Sequence, residues 1–193
     1  MPRPSHRLAV LRYRRVGPLL ADDWLTSAVV EATRFEEHLR TLRRLRWTPI
    51  TGRALVAGLA DPRAFPERAV LVTFEGGYRS FVEHALPALE RYRVPTVLFV
   101  ATDRVGMTTS FEPDVDAPAP VLDWDELATL PSRDVEIQSM GTEYRRFSAL
   151  APADIEHEAA DSRAEIARRV GQPPTLFAYP GGEPGADVDA TAR

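Results

Sequence analysis

The chain has 193 residues, 44% hydrophobic and 27% charged, the make-up of one soluble domain large enough to bury a core. It has no cysteine and all 24 basic residues are arginine, which excludes disulfides, zinc–thiolate sites, thiol nucleophiles and Schiff-base lysines. The net charge of −4 argues against nucleic acid, and no apolar run approaches the roughly 18 residues of a membrane span. The apolar stretch at residues 8–11 is too short for the core of an export signal, so the expected compartment is the cytoplasm.

Residues 8–13 read as a short strand, stopped by Gly17-Pro18. Residues 20–27, with Trp24, give no clear pattern. Thr33 is placed to cap a helix running to about residue 45, with Phe35, Leu39, Leu42 and Leu45 at 3–4 spacing. Arg40, Arg43, Arg44 and Arg46 then form its solvated side. Residues 47–51 read as a second strand and 54–59 as a short helix. Residues 69–74 are the strongest strand, nearly all apolar, as expected of a strand covered on both faces. A helix over 80–92, with Phe81, Leu86, Leu89 and Tyr92 inward, leads to a buried strand at 96–100. This rhythm predicts an α/β fold with a largely parallel sheet.

Residues 107–120 hold three prolines and three acids and read as a loop, either a solvated excursion or one that shapes a site. Asp123 is positioned to cap a helix over 123–128, followed by a strand at 135–137. A long helix spans 152–170, with Pro152 in its first turn and Gly171 as its stop. A final strand is expected at 175–179, ended by Pro180-Gly181-Gly182. The whole chain, 1–193, reads as one domain with its core in 67–182.

Three segments carry chemistry. Thr73-Phe74-Glu75-Gly76-Gly77 closes the strongest strand, Ser139-Met140-Gly141-Thr142-Glu143-Tyr144 follows a later one, and Phe177-Ala178-Tyr179-Pro180 precedes a glycine pair. With Leu11–Gly17, His84-Ala85-Leu86-Pro87, Tyr92 and Val94-Pro95 in the same order, the chain resembles the polysaccharide deacetylases, the NodB-homology domain of carbohydrate esterase family 4. The resemblance implies a distorted, incomplete (β/α) barrel of the deacetylase type.

In that family the first motif is Thr-Phe-Asp-Asp-Gly and the second Ser-His-Thr-x-x-His. The first Asp is the general base; the second Asp and the two histidines hold a divalent metal. Here Glu75 takes the base position, and Gly76, Met140 and Tyr144 take the ligand positions. Glycine offers no donor, a thioether suits hard dications poorly, and a neutral phenol is weak. No metal and no other cofactor is therefore expected. Arg14 stands where a histidine is usual, and Ala178 where many members have an arginine.

Glu75 reads either as an acid or base in a metal-free site or as a carboxylate paired with arginine. Glu143 either faces Glu75 across the cleft, as paired acid–base work needs, or points away. Met140 and Tyr144 are expected to fill the vacated pocket with apolar and aromatic volume, which suits a ligand-binding cleft or a closed core equally. With Ser139, Tyr179 and Gly181, whose N–H offers an oxyanion contact, they are the expected substrate-binding residues. His6, His38, His84 and His157 fall at no ligand position of the family.

The resemblance also implies further C-terminal strands that this sequence lacks. A second copy or another chain is expected to complete the barrel, or else the fold is shortened and rewired. The leading expectation is a binding or scaffolding subunit for a carbohydrate or small-molecule ligand, with no nucleic acid and no membrane. The alternative is a metal-independent enzyme for amide hydrolysis, cyclisation or isomerisation with Glu75 as acid or base. A third is residual deacetylation with unconventional ligands.

Overall fold

The computed structural model describes residues 6–18, 29–111 and 117–182. In chain order the strands are β1 (Arg7–Tyr13), β2 (Arg15–Val16), β3 (Val29–Val30), β4 (Thr48–Pro49), β5 (Arg68–Glu75), β6 (Thr96–Val100), β7 (Thr108–Thr109), β8 (Ala119–Pro120) and β9 (Val135–Ser139). The helices are α1 (Ala32–Arg44), α2 (Gly52–Ala60), α3 (Leu86–Tyr92), α4 (Trp124–Thr129) and α5 (Pro152–Val170).

β5 is the centre of the main sheet and is buried from Ala69 to Glu75. β1 runs parallel to it along its length, with Leu8 opposite Ala69 and Tyr13 opposite Phe74. β4 pairs with residues 69–70 and β6 with residues 72–75, both parallel, and β9 continues the sheet beyond β6. Alternate residues of each strand face opposite ways. One set, including Val72, Phe74, Leu98, Val100 and Ile137, packs against Phe35 and Leu39 of α1, Leu86 and Leu89 of α3, Leu127 of α4 and Ile166 of α5. The other set, Ala69, Leu71, Val97 and Phe99, forms a second cluster with Ile50, Met140 and Tyr144. This second face leads to the cleft.

Most expected elements form, and the differences have local causes. α1 begins at Ala32 after Glu31, so Thr33 lies inside the first turn and is not the cap. Leu45 falls past the helix end and is 47% exposed. The expected helix at 80–92 is two pieces, a π-helical turn at Phe81–Ala85 and then α3. Pro87 accounts for the break, because it has no N–H to donate to Glu83 and its ring crowds the preceding turn. The loop at 107–120 contains the small antiparallel ribbon of β7 and β8. Asp123 does cap α4, in a capping box: its carboxylate accepts the Glu126 N–H, and Glu126 accepts the Asp123 N–H.

The expected strand at 175–179 is the main correction. It makes a single bridge, Phe177 to Ser139, with the Ala178 N–H donating to the Ser139 carbonyl at 2.9 Å. The Thr175 and Leu176 N–H groups donate to the Gln138 side-chain oxygen at 2.7 and 2.8 Å. A side chain thus takes the place of ladder rungs, and regular pairing stops. The unpatterned segment at 20–27, with Trp24, lies outside the described residues, as do parts of the 107–120 loop and everything after Gly182. No helix among the described residues is long and apolar enough to cross a membrane.

Candidate functional site

The carboxyl ends of parallel strands are where α/β folds place ligands, because the loops there carry side chains on a fixed frame. Here that rim is built from residues 12–14 at the end of β1, residues 75–77 at the end of β5, residues 139–146 at the end of β9 and the turn at Gly181-Gly182.

Glu75 ends β5 with its side chain only 11% exposed, and the Arg12 Nη1 atom lies 3.5 Å from its Oε1 atom. The chain then turns through Gly76 (φ 94°) and Gly77 (φ 66°), a region that favours glycine. The Gly76 N–H donates to the Phe99 carbonyl at 2.9 Å. A Cβ at Gly76 would stand 2.8 Å from ring atoms of both Phe111 and Tyr78. The position that the family gives to a metal-binding carboxylate is thus walled by two rings.

Met140 is fully buried, and its N–H donates to the Val100 carbonyl. Tyr144 has a left-handed backbone (φ 65°), and its hydroxyl accepts from Arg14 Nη2 at 2.7 Å. Its ring centroid lies 4.7 Å from that of Phe111, which meets Tyr78 edge-on at 5.2 Å. Gly76, Met140 and Tyr144 therefore sit in a series of packed rings and a guanidinium. As donors they do not fit a divalent cation, and no cluster of three His, Cys, Asp or Glu suited to a metal occurs among the described residues.

The remaining candidates have clear places. Ser139 is buried; its hydroxyl shares a 2.6 Å hydrogen bond with Ser162 and accepts the Gly141 N–H at 3.1 Å. It ties β9 to α5. Tyr179 packs on Phe147 and Phe177 at 5.5 Å each. Gly181 turns at φ 72°, with Arg146 Nε 3.2 Å from where a Cβ would be. The Glu143 carboxylate is half-exposed and pairs with Arg145 at 3.3 Å, while its carbonyl accepts from Arg104. Of the histidines, His38 bonds Tyr13 at 3.0 Å, His84 lies 3.9 Å from Glu83, His157 pairs with Asp161 on the surface, and His6 is exposed.

One residue central to this loop has no candidate role in the motif reading. Glu158 of α5 is buried, and its Oε2 atom accepts from the Thr142 N–H, the Thr142 hydroxyl and the Glu143 N–H. Its Oε1 atom accepts from Arg145 at 2.8 Å. Burial alone would push its carboxyl up, but the bonds from Arg145, Thr142 and the Glu143 N–H hold it below the ordinary range. Gly141 (φ 92°) allows the approach, since a Cβ there would lie 2.6 Å from Glu158 Oε2. The signal was present in sequence: Ile155, Glu158, Ser162 and Ile166 form the buried stripe of α5, so an acid stands on an apolar face.

The sequence profile of the polysaccharide deacetylases matches residues 63–193. The chain belongs to the polysaccharide deacetylase family. The deacetylase match takes in all three motif segments. Among curated relatives, YxkH of Bacillus subtilis (strain 168), named as a polysaccharide deacetylase, is 22% identical over 156 residues, 81% of this chain. This chain spans only 52% of YxkH's length. Among solved structures, the Streptococcus pyogenes deacetylase PplD in complex with acetate superposes with a TM-score of 0.82 at 16% identity, over 96% of this chain and 78% of that one. IcaB from Ammonifex degensii superposes with a TM-score of 0.82 at 22% identity, over 96% of this chain and 79% of that one. These likenesses show the deacetylase-type α/β fold that the motifs implied.

Proposed function

We propose that this deacetylase-family chain binds a carbohydrate or carbohydrate-like small molecule without the family's metal and without hydrolysing it, as a binding or scaffolding subunit. One observation carries the reading: Phe111 and Tyr78 occupy the space beside Gly76 where the metal-binding side chain would project. A Lewis acid is what makes an acetamide carbonyl susceptible in this family, and the side chains at its three ligand positions offer no suitable donor set. The test is metal content after incubation with Zn²⁺, Co²⁺ and Ni²⁺, together with acetate release from an N-acetylated oligosaccharide. The expected result is no stoichiometric metal and no acetate; bound metal with acetate release overturns the reading.

A second reading is supported by Glu75, a carboxylate held at the end of β5 beside Arg12. It is a metal-independent enzyme with Glu75 as acid or base. Glu75→Gln separates the two, since it abolishes function only if Glu75 carries chemistry.

The proposal includes a partner, either a second copy or another chain. Leu8 and Val10 share the register of Ala69 and Leu71, yet they are 40% and 54% exposed. An apolar edge strand of this kind is a pairing surface. A clean monomer in sedimentation at micromolar concentration would sink this part.

A further inference from the structure

The helix side of the sheet carries a cavity separate from the cleft. Ser139 and Phe177 are bridge partners, so their side chains leave the sheet on the same side. For Ser139 that is the side covered by α5, through its bond to Ser162. Leu176 and Ala178 pack instead with the cluster of Met140 and Tyr144, towards the cleft. Phe177 and Tyr179 therefore stand beside α5, and with it they border a cavity of roughly 480 Å³. The α5 wall is Ile155, Ala159 and Arg163, a stripe at four-residue spacing. That stripe runs about 12 Å along the helix axis.

The lining is apolar along one stretch and cationic along another. Phe147, Phe177 and Tyr179 meet in a three-ring cluster with centroids 5.1 to 5.5 Å apart, and Ile155 packs into it. Phe147 and Ile155 are buried, while Phe177 and Tyr179 are half-buried and leave ring surface uncovered. Arg163, two helical turns beyond Ile155, is exposed and makes no hydrogen bond or ion pair within the described residues. The Thr175 hydroxyl also lines the cavity without a partner there, since Gln138 takes only the Thr175 N–H.

We infer that this cavity takes an apolar carboxylate, a ring or short alkyl chain whose body lies on Phe147, Phe177 and Tyr179 and whose carboxylate meets Arg163. The inference goes beyond the carbohydrate reading and is independent of it, because the two sites lie on opposite faces of the sheet. Cavities of about 300–1,000 Å³ with mostly apolar and aromatic walls and a few polar groups are the usual hosts of small ligands. The rings gain by removing an apolar body from water, and the guanidinium fork matches the two oxygens of a carboxylate. A sugar fits this lining poorly: it would set hydroxyls against Ile155, Ala159, Pro174 and Leu176, whose side chains cannot bond them. The Ser139 hydroxyl at the cavity floor is already engaged by Ser162 and the Gly141 N–H.

The experiment is calorimetric titration of the full chain with 4-phenylbutyrate and octanoate. The matching alcohols, 4-phenylbutan-1-ol and octan-1-ol, serve as neutral bodies, and acetate as the bare charge. At least one carboxylate is expected to bind about tenfold more tightly than its own alcohol, and acetate not to bind at millimolar concentration. Which carboxylate binds distinguishes a ring from a chain. Arg163→Gln removes the preference over the alcohol. Ala159→Leu weakens binding and Ala159→Trp abolishes it by filling the cavity from α5, while Arg40→Gln on the solvated side of α1 changes nothing. Circular dichroism checks that each variant is folded. Equal binding of carboxylate and alcohol, no binding of either carboxylate at millimolar concentration, or undiminished binding in a folded Ala159 variant each overturns the inference. A second copy seated on this face would do so too: the chain would sediment as a dimer that Ala159→Trp dissociates, and the carboxylates would not bind.

Discussion

The two faces of β5 have different fates. On the helix side, Val72 and Phe74 pack against α1, α3 and the Tyr13 ring, and the layer is ordinary close-packed core. On the other side, Leu71, Thr73 and Glu75 lead towards a rim that includes Gly76, Met140, Tyr144 and Arg14. The first face is fixed by volume and tolerates only similar volumes. The second carries individual polar contacts, such as Arg14 with Tyr144 and Arg12 with Glu75. A shared fold therefore says little about shared activity.

Four substitutions sharpen that contrast, from the largest effect to the smallest. Phe74→Ala leaves a cavity among Tyr13, Phe35 and Phe81 and is expected to cost about 3–5 kcal/mol in denaturant unfolding. A cost below about 1 kcal/mol would mean that the helix-side layer is not the main core.

Glu158→Gln acts on the cleft side at long range. It removes a buried ionised acceptor from Thr142, Glu143 and Arg145, with an expected loss of about 2–3 kcal/mol. The pH dependence has a definite sign. The folded carboxyl lies below its ordinary value of 4.5, so its contribution is full above that value and fades as pH falls through the lower folded value. Wild-type protein should lose stability on acidification in this window, and the Glu158→Gln variant should show a shallower slope. Equal slopes would remove Glu158 from the account.

Gly76→Asp places the family motif's residue type at the position that the resemblance gives to a ligand. The left-handed backbone and the Phe111 and Tyr78 rings oppose it, with an expected cost of about 2 kcal/mol and no gain in metal binding. Tight stoichiometric metal in this variant would show that the rings yield easily. Arg12→Ala removes an ion pair between an exposed guanidinium and the nearly buried Glu75 carboxylate, which water can reach from the vacated side, so its stability cost should be about 1 kcal/mol or less. A much larger cost would make Arg12 an essential structural partner of Glu75.

Much of the fold was legible because secondary-structure signals are local. The apolar run at 69–74, the strand at 96–100, the Asp123 cap and the Pro152-to-Gly171 helix all form as read. The misses were those where a distant or unusual partner decides. Thr33 lost the cap because the helix begins at Ala32, two residues earlier than a Thr33 cap would start it, and Gln138 replaced the rungs of a strand at 175–179. The motif segments at 73–77, 139–144 and 177–180 were readable by resemblance, and the family match takes them in. Their surroundings were not: Phe111 lies 35 residues from Gly76 in sequence, within a loop that shows no periodic pattern.

The sequence by itself determined the α/β order of elements and the deacetylase frame. Only the tertiary structure decided that two rings close the space at Gly76, that Glu158 clamps the loop before Tyr144, and that Arg14 meets the Tyr144 hydroxyl. The physical reason is range. Periodicity and capping depend on residues a few positions apart, whereas a cleft is made where strand ends from distant parts of the chain are brought into register.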